Sequence, residues 1–258
     1  MIAPAKINLA LVVGPVRPDG KHELTTVYQA LELADEVEIE PAAKTTVDGF
    51  DDTIVRSALA LLGGEWQVRI EKRIPVAAGL GGGSSDAATA LRLANEQLAT
   101  PLLPDALHAL AARVGADVPF FLCNGPHLGT GDGTLLEPVE LPQDYAVLLI
   151  LPAGSAKGST ADVYAAFDAR DGAAGYRERV GALRSALASA DIAALPPNDL
   201  ASSPLAARLR GAGAFRADVS GAGPIVYGLF ESESAAERAQ AALRGVGETW
   251  ISRPAWYR

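Results

Sequence analysis

A single cysteine, Cys123, stands in 258 residues, which excludes an intramolecular disulfide and any cysteine-rich zinc site. It ends the apolar run Pro119-Phe120-Phe121-Leu122-Cys123 and so reads as a small buried hydrophobe rather than a nucleophile. Histidine is scarce too. His22, His108 and His127 are scattered without metal-ligand spacing, so no metal centre built from protein side chains is expected. Positive charge is also short: 22 Lys+Arg face 31 Asp+Glu, a net charge of −9, with a pI near 4.9. Lacking a Lys/Arg cluster, the chain is not built to neutralise a nucleic-acid backbone. Any anionic ligand must be met by local donors, which makes each of the few lysines (Lys6, Lys21, Lys44, Lys72, Lys157) worth placing. No window approaches the roughly 18 uninterrupted apolar residues of a membrane span. The start, MIAPAKINLALVVG, lacks the basic opening and cleavage site of a signal peptide. A cytoplasmic protein is expected, binding neither nucleic acid nor membrane, with its oligomeric state left open.

What is present is ample material for a core: 49% hydrophobic residues against 21% charged. Ile7–Val13 reads as a buried strand closed by Gly14-Pro15 and Pro18-Asp19-Gly20. His22–Leu33 follows, and Glu36–Glu40 then alternates as a half-exposed strand. Thr53–Leu62 has helical spacing, with Ile54, Ala58, Leu61 and Leu62 on one face, and Gln67–Lys72 alternates again. From Ser84/Ser85 to Leu98 runs an Ala-rich helix whose hydroxyls can cap it. A further helix fits Pro104–Val114. Tyr145–Leu151 is an apolar central strand, and Ala153–Thr160 a Gly/Ser-rich loop. Helices are expected over Ala161–Ala169, Tyr176–Ala190, a stretch ending at Leu209, and Ala235–Leu243, with strands at Phe215–Val219 and Ile225–Phe230. Helices and strands mix without strict alternation, which predicts an α+β fold of two halves, 1–150 and 151–258.

The densest signal is Pro75-Val76-Ala77-Ala78-Gly79-Leu80-Gly81-Gly82-Gly83-Ser84-Ser85-Asp86. A strand leads in and a long helix leaves. Clustered glycines let the backbone curl until its N–H groups converge, and a helix N-terminus adds partial positive charge: a site for phosphate oxygens. It is not a P-loop, because no lysine follows the glycines.

Three segments together resemble the GHMP kinase superfamily: Pro4-Ala5-Lys6-Ile7-Asn8-Leu9, the glycine loop, and Val219-Ser220-Gly221-Ala222-Gly223-Pro224. Arg17-Pro18-Asp19-Gly20-Lys21-His22-Glu23-Leu24, Gly115-Ala116-Asp117-Val118-Pro119-Phe120-Phe121 and Asn198-Asp199-Leu200 narrow the resemblance to a branch acting on a cytidine-diphosphate-linked methylerythritol. The resemblance implies a two-lobed fold, with an N-terminal α/β ATP-binding domain and a C-terminal ferredoxin-like α+β domain. It implies ATP with Mg²⁺, and phosphorylation of a tertiary hydroxyl. Asp117 would receive the hydroxyl proton and Lys6 would steady the transferring phosphoryl group. Residues 75–85 would hold ATP; Asn8, Lys21, His22, Thr160 and Tyr164 would hold the small-molecule substrate. Whether Ser84 or Ser85 approaches the magnesium ion stays open, as does whether Asp86 acts behind it or merely complements the helix dipole. The chain departs from the family pattern in carrying Lys21 where a tyrosine is usual, Asp51-Asp52-Thr53 before the first helix, and Ala222 and Ile225 in the C-terminal turn. Two other readings stand beside this one: a homoserine- or mevalonate-type kinase, and a catalytically silent binding protein on the same fold.

Overall fold

A computed structural model describes residues 1–50, 53–155 and 159–255. Asp51 and Asp52 of the departure noted above, with Lys157 and Gly158 of the Gly/Ser-rich loop, lie outside the described residues. Strands β1 (Ile2–Val16), β2 (His22–Pro41), β3 (Thr46–Asp48), β4 (Trp66–Glu71), β5 (His127–Gly131) and β6 (Leu135–Pro138) form the first sheet. Its order is β3-β4-β2-β5-β6, with β1 paired antiparallel to β2. Helices α1 (Thr53–Leu62), α2 (Gly82–Glu96) and α3 (Pro104–Val114) cover this sheet, and a 3₁₀ turn, Pro119–Leu122, follows α3.

The second sheet holds β7 (Ala146–Pro152), β8 (Arg216–Val219), β9 (Val226–Phe230) and β10 (Gly247–Ser252) in the order β10-β7-β9-β8, every neighbouring pair antiparallel. Its strands thus lie fourth-first-third-second, the ferredoxin-like arrangement. Helices α4 (Thr160–Ala169), α5 (Tyr176–Ala188), α6 (Pro204–Gly211) and α7 (Glu233–Ala242) belong to this half. β7 straddles the expected boundary at 150 and lies wholly in the second sheet, so the sheets divide the chain before Ala146. No helix among the described residues is long and apolar enough to cross a membrane.

The two sheets share a core. On β1, Ala5, Ile7 and Leu9 point into a cluster with Val147, Leu149, Tyr227 and Leu229, all buried. Three expectations need correction. His22–Leu33 and Glu36–Glu40 are one 20-residue strand, because the ladder with β1 carries the backbone through Ala34, Asp35 and Glu36, with a register shift at Pro4/Ala5, while the Asp35 carboxylate accepts from the backbone N–H groups of Arg73 and Ile74. Helix α1 buries Val55, Ala58 and Leu59; Ile54 and Leu61 are exposed, since a sequence rich in Leu, Ile and Val offers two stripes at helical period. Helix α2 begins at Gly82 with Gly81 in the left-handed region as its cap and no side-chain cap. Ser84 and Ser85 sit inside the first turn instead of capping it.

Candidate active site

Successive strand side chains point to opposite faces. With Ala5, Ile7 and Leu9 committed to the shared core, Lys6 and Asn8 must face the other way, into a cleft of about 590 Å³. An ammonium in that position is costly unless paired. Lys6 is 3% exposed, and its Nζ donates to Asn8 Oδ1 at 2.6 Å and lies 3.3 Å from Asp117 Oδ2. Asn8 is fixed in turn, its Nδ2 donating to Thr26 Oγ1 at 2.8 Å. Asp117 sits in the turn between α3 and Pro119, anchored by the buried rings of Phe120 and Phe121. Its side chain keeps 34% exposure, so it is reachable from the cleft. Tyr28, which the sequence reading did not single out, donates from its hydroxyl to Asp117 Oδ1 at 3.2 Å.

The glycine loop lies beside this pair. Lys6 N–H donates to Leu80 O at 2.9 Å, Ile225 N–H to Ala78 O at 3.1 Å, and Ser220 Oγ to Gly79 O at 3.0 Å. The loop is therefore clamped between β1 and the turn joining β8 to β9. Gly79 has φ +89°, and a Cβ there would stand 2.6 Å from Ser220 O; only glycine fits. At Gly82 the backbone is ordinary, and a Cβ would instead meet Lys72 Nζ at 3.1 Å. The uncapped N-terminus of α2 presents Gly82, Gly83 and Ser84 to the cleft, leaving its first N–H groups for an anion. Of the two serines, Ser84 lines the cleft; Ser85 is fully buried and its Oγ has no hydrogen-bond partner among the described residues.

Beneath α2, Lys72 Nζ bridges two fully buried carboxylates, Asp35 Oδ2 at 2.5 Å and Asp86 Oδ2 at 2.7 Å. Burial alone would lower the ammonium's pKa, but the hydrogen bonds and charges of both aspartates outweigh it and raise the pKa. Asp86 is thus one of three members of an ion-paired cluster, with Lys72 and Asp35. Lys72 was legible only as one lysine ahead of the loop; its partners come from 37 and 14 residues away.

At the far end, Thr160 and Tyr164 line the cleft, and burial, with Asp117 adding, pushes the Tyr164 hydroxyl up to about 12. His22 lies behind Tyr164, stacked on it at 5.0 Å, with Nδ1 at 2.8 Å from Gly14 O and Nε2 at 3.3 Å from Asp168 Oδ1. Lys21 reaches away from the cleft to Asp132 Oδ2 at 2.6 Å. The structure therefore brings Lys6, Asn8, residues 75–84, Asp117, Thr160 and Tyr164 to one cleft, with His22 at its back wall and Lys21 outside. The Asn198-Asp199-Leu200 triplet works as a bolt. Asn198 Nδ2 donates to Val219 O and Gly221 O at 2.9 and 2.6 Å, while Asp199 Oδ2 accepts from Val13 N–H at 2.8 Å. Ile225 is fully buried, which makes its departure a packing change; Ala222 lines the cleft. Cys123 is partly buried and its thiol is pushed up by that burial, as suits a packing residue. No cluster of three or more His, Cys, Asp and Glu able to hold a metal occurs among the described residues.

Such a cleft pairs an anion cradle with a buried cation and a reachable carboxylate, the parts that phosphoryl transfer to an alcohol requires. Residues 52–125 match the family model described as GHMP kinases N terminal domain, and residues 180–249 match GHMP kinases C terminal. A 4-diphosphocytidyl-2-C-methyl-D-erythritol kinase of Nocardia farcinica is 42% identical over 276 aligned residues, covering 95% of this chain and 89% of its own. The Bacillus pumilus protein of the same name is 36% identical, covering 94% and 92%. A solved 4-(cytidine 5'-diphospho)-2C-methyl-D-erythritol kinase superposes with a TM-score of 0.77 at 33% identity, covering 99% of both chains. A homoserine kinase from Cytophaga hutchinsonii shares the fold at a TM-score of 0.74 and 20% identity, covering 98% of this chain and 93% of its own. With both family models matched and near-full-length relatives at this identity, the chain belongs to the GHMP kinases, within the family of 4-diphosphocytidyl-2-C-methyl-D-erythritol kinases.

Proposed function

We propose that the protein is an ATP-dependent kinase that phosphorylates the 2-hydroxyl of 4-diphosphocytidyl-2-C-methyl-D-erythritol, a step of non-mevalonate isoprenoid precursor synthesis. The observation that carries the reading is the pair of buried Lys6 and cleft-exposed Asp117, 3.3 Å apart, beside a helix N-terminus without a side-chain cap behind a glycine loop. In this mechanism Asp117 takes the acceptor's hydroxyl proton as the oxygen bonds to the γ-phosphorus, and the bond to the β-phosphate oxygen breaks to release ADP. Lys6 offsets the charge gathering on the transferring group. Residues 75–85 supply the loop and helix start around the phosphates. Ser84 is the hydroxyl suited to the magnesium ion, a hard oxygen donor on the cleft wall; the ion supplies charge neutralisation on the phosphates when bound.

Tyr164 and Thr160 form the wall suited to the cytidine end, with His22 backing the tyrosine ring. The first lobe is assigned the nucleotide and the second the turn and aromatic wall that close the site over the acceptor. A coupled assay of ADP release with ATP, Mg²⁺ and a panel of alcohols tests this. Turnover is expected with the cytidylyl substrate alone. Turnover with homoserine or mevalonate but not with that substrate would reassign the acceptor, and silence with every alcohol would favour the binding-protein reading.

A further inference from the structure

We propose that Tyr28 is a positioning residue for Asp117, its hydroxyl holding Oδ1 so that Oδ2 stays turned toward Lys6. The proposal rests on reading Asp117 as the base. The last torsion of an aspartate is broad and roughly two-fold, so a carboxylate held only by Lys6 could swing away from its productive orientation. A donor on the opposite oxygen removes that freedom. Tyr28 is placed for this by strand pairing. It sits opposite Asn8 in the β1–β2 register, so it shares the face that carries Asn8 and Lys6, and its hydroxyl reaches Asp117 Oδ1 at 3.2 Å.

Its own position is over-determined. The ring is 2% exposed and stacks on Phe120 at 4.9 Å. Phe120 lies three residues beyond Asp117, so one short segment presents the carboxylate and grips the tyrosine that orients it. Two glycines of the β5 region leave room for the rest. A Cβ at Gly129 would fall 2.7 Å from Tyr28 Cε2, and one at Gly133 would fall 2.8 Å from its hydroxyl oxygen. Burial, and then the charge of Asp117, raise the tyrosine's pKa well above its ordinary value. The hydroxyl therefore keeps its proton and acts as a donor, not as a second base.

The test is a double-mutant cycle with steady-state kinetics on the full-length protein, using ATP and 4-diphosphocytidyl-2-C-methyl-D-erythritol. Tyr28→Phe, which keeps the ring and its stacking, should lower kcat roughly 5- to 30-fold while both KM values stay within about twofold, a loss confined to the transition state. In an Asp117→Asn background the same change should cost nothing further, because its effect runs through the missing carboxylate. Gly129→Ala, at a position of ordinary backbone, keeps the tyrosine but presses a Cβ on its ring at Cε2; it should give a smaller loss of the same kcat-only kind and serves if Tyr28→Phe does not fold. A kcat within twofold of wild type in both variants, or an equal loss with and without Asp117, overturns the positioning role. If Asp117→Asn itself leaves kcat intact, the base assignment fails first and takes this proposal with it. A loss on Asp117→Asn with none on Tyr28→Phe removes the positioning role alone.

Discussion

Replacing Lys72 by methionine removes one cation from between two carboxylates that are both 0% exposed. Breaking a buried ion pair by deleting one partner costs about 3–5 kcal/mol, because an uncompensated charge remains in a poorly solvated place. Asp35 keeps its hydrogen bonds from the backbone N–H groups of Arg73 and Ile74, which argues for the lower end, about 3 kcal/mol. In a chain of this size each kcal/mol moves the thermal midpoint by roughly 2–4 °C, so Lys72→Met should melt roughly 6–12 °C below wild type. Lys44→Met, on an exposed lysine, should stay within about 2 °C as the control. The linkage has a definite sign. The Lys72 pKa is raised from its ordinary value near 10.5, so its contribution is full below that value and fades only as pH climbs through the raised one. The midpoint gap should accordingly hold from about pH 6 to about pH 10. Because Lys72 Nζ also underlies Gly82 at the start of α2, KM for ATP should rise in the same variant. Differential scanning calorimetry with an ATP titration measures both. A midpoint within about 2 °C of wild type at neutral pH would refute the buried triad.

Gly79→Ala should raise KM for ATP tenfold or more and lower the midpoint. Its Cβ would collide with Ser220 O at 2.6 Å and Gly223 O at 2.9 Å, from a φ of +89°. Gly82→Ala, whose backbone is ordinary, should do less; equal effects from both would undo the clamped-loop account. Tyr164→Ala should weaken the cytidylyl substrate roughly 5- to 150-fold, as fits a lost stacking contribution of about 1–3 kcal/mol. KM for ATP should stay within about twofold. A fall in stability with unchanged KM would assign Tyr164 to packing with Phe167 and Val163.

Local pattern carried a great deal of this fold. Helices α1 and α3 begin and end where their spacing predicts, and the strands β4, β7, β8 and β9 fall within a residue of the bounds expected from alternation or, for β7, from its apolar run. What escaped is non-local. His127–Gly131 is glycine-bearing and weak as a strand on propensity, and it becomes β5 only through its ladder with β2. Three-residue β3 and the edge strand β6 have too little length for a period to register. Helix α2 starts before its serines because Gly81 takes the left-handed conformation, which a sequence rule that favours hydroxyl caps passes over. At the cleft, Lys6, Asp117 and the glycine loop were readable because each stands in a short contiguous motif. Tyr28, Asp35 and Lys72 were not, since their roles arise from register and from pairings across 37 and 89 residues.

The same non-local contacts decide how the cleft can move. Asn8 N–H reaches Ser220 Oγ at 3.4 Å, Ser220 Oγ donates to Gly79 O, and Asn198 holds Gly221 O. The strand carrying Lys6, the glycine loop and the second lobe's turn are therefore one unit. Behind them Ile7, Leu9, Val147, Leu149, Tyr227 and Leu229 are all 0% exposed in the shared core. Uncovering a buried aliphatic or aromatic side chain costs about 1.5–3 kcal/mol, so swinging the lobes apart would cost on the order of 10 kcal/mol, comparable to a typical domain's whole stability. That cost opposes opening by a hinge between the sheets. Outside that core lie the exposed rim at Val76 and Ile54 and helix α4, whose Phe167 is itself buried against Leu11 and Val13 of β1. Tying Lys6 and the glycine loop into one unit keeps their groups at fixed distances across the cleft, the condition under which positioning contributes most to a reaction.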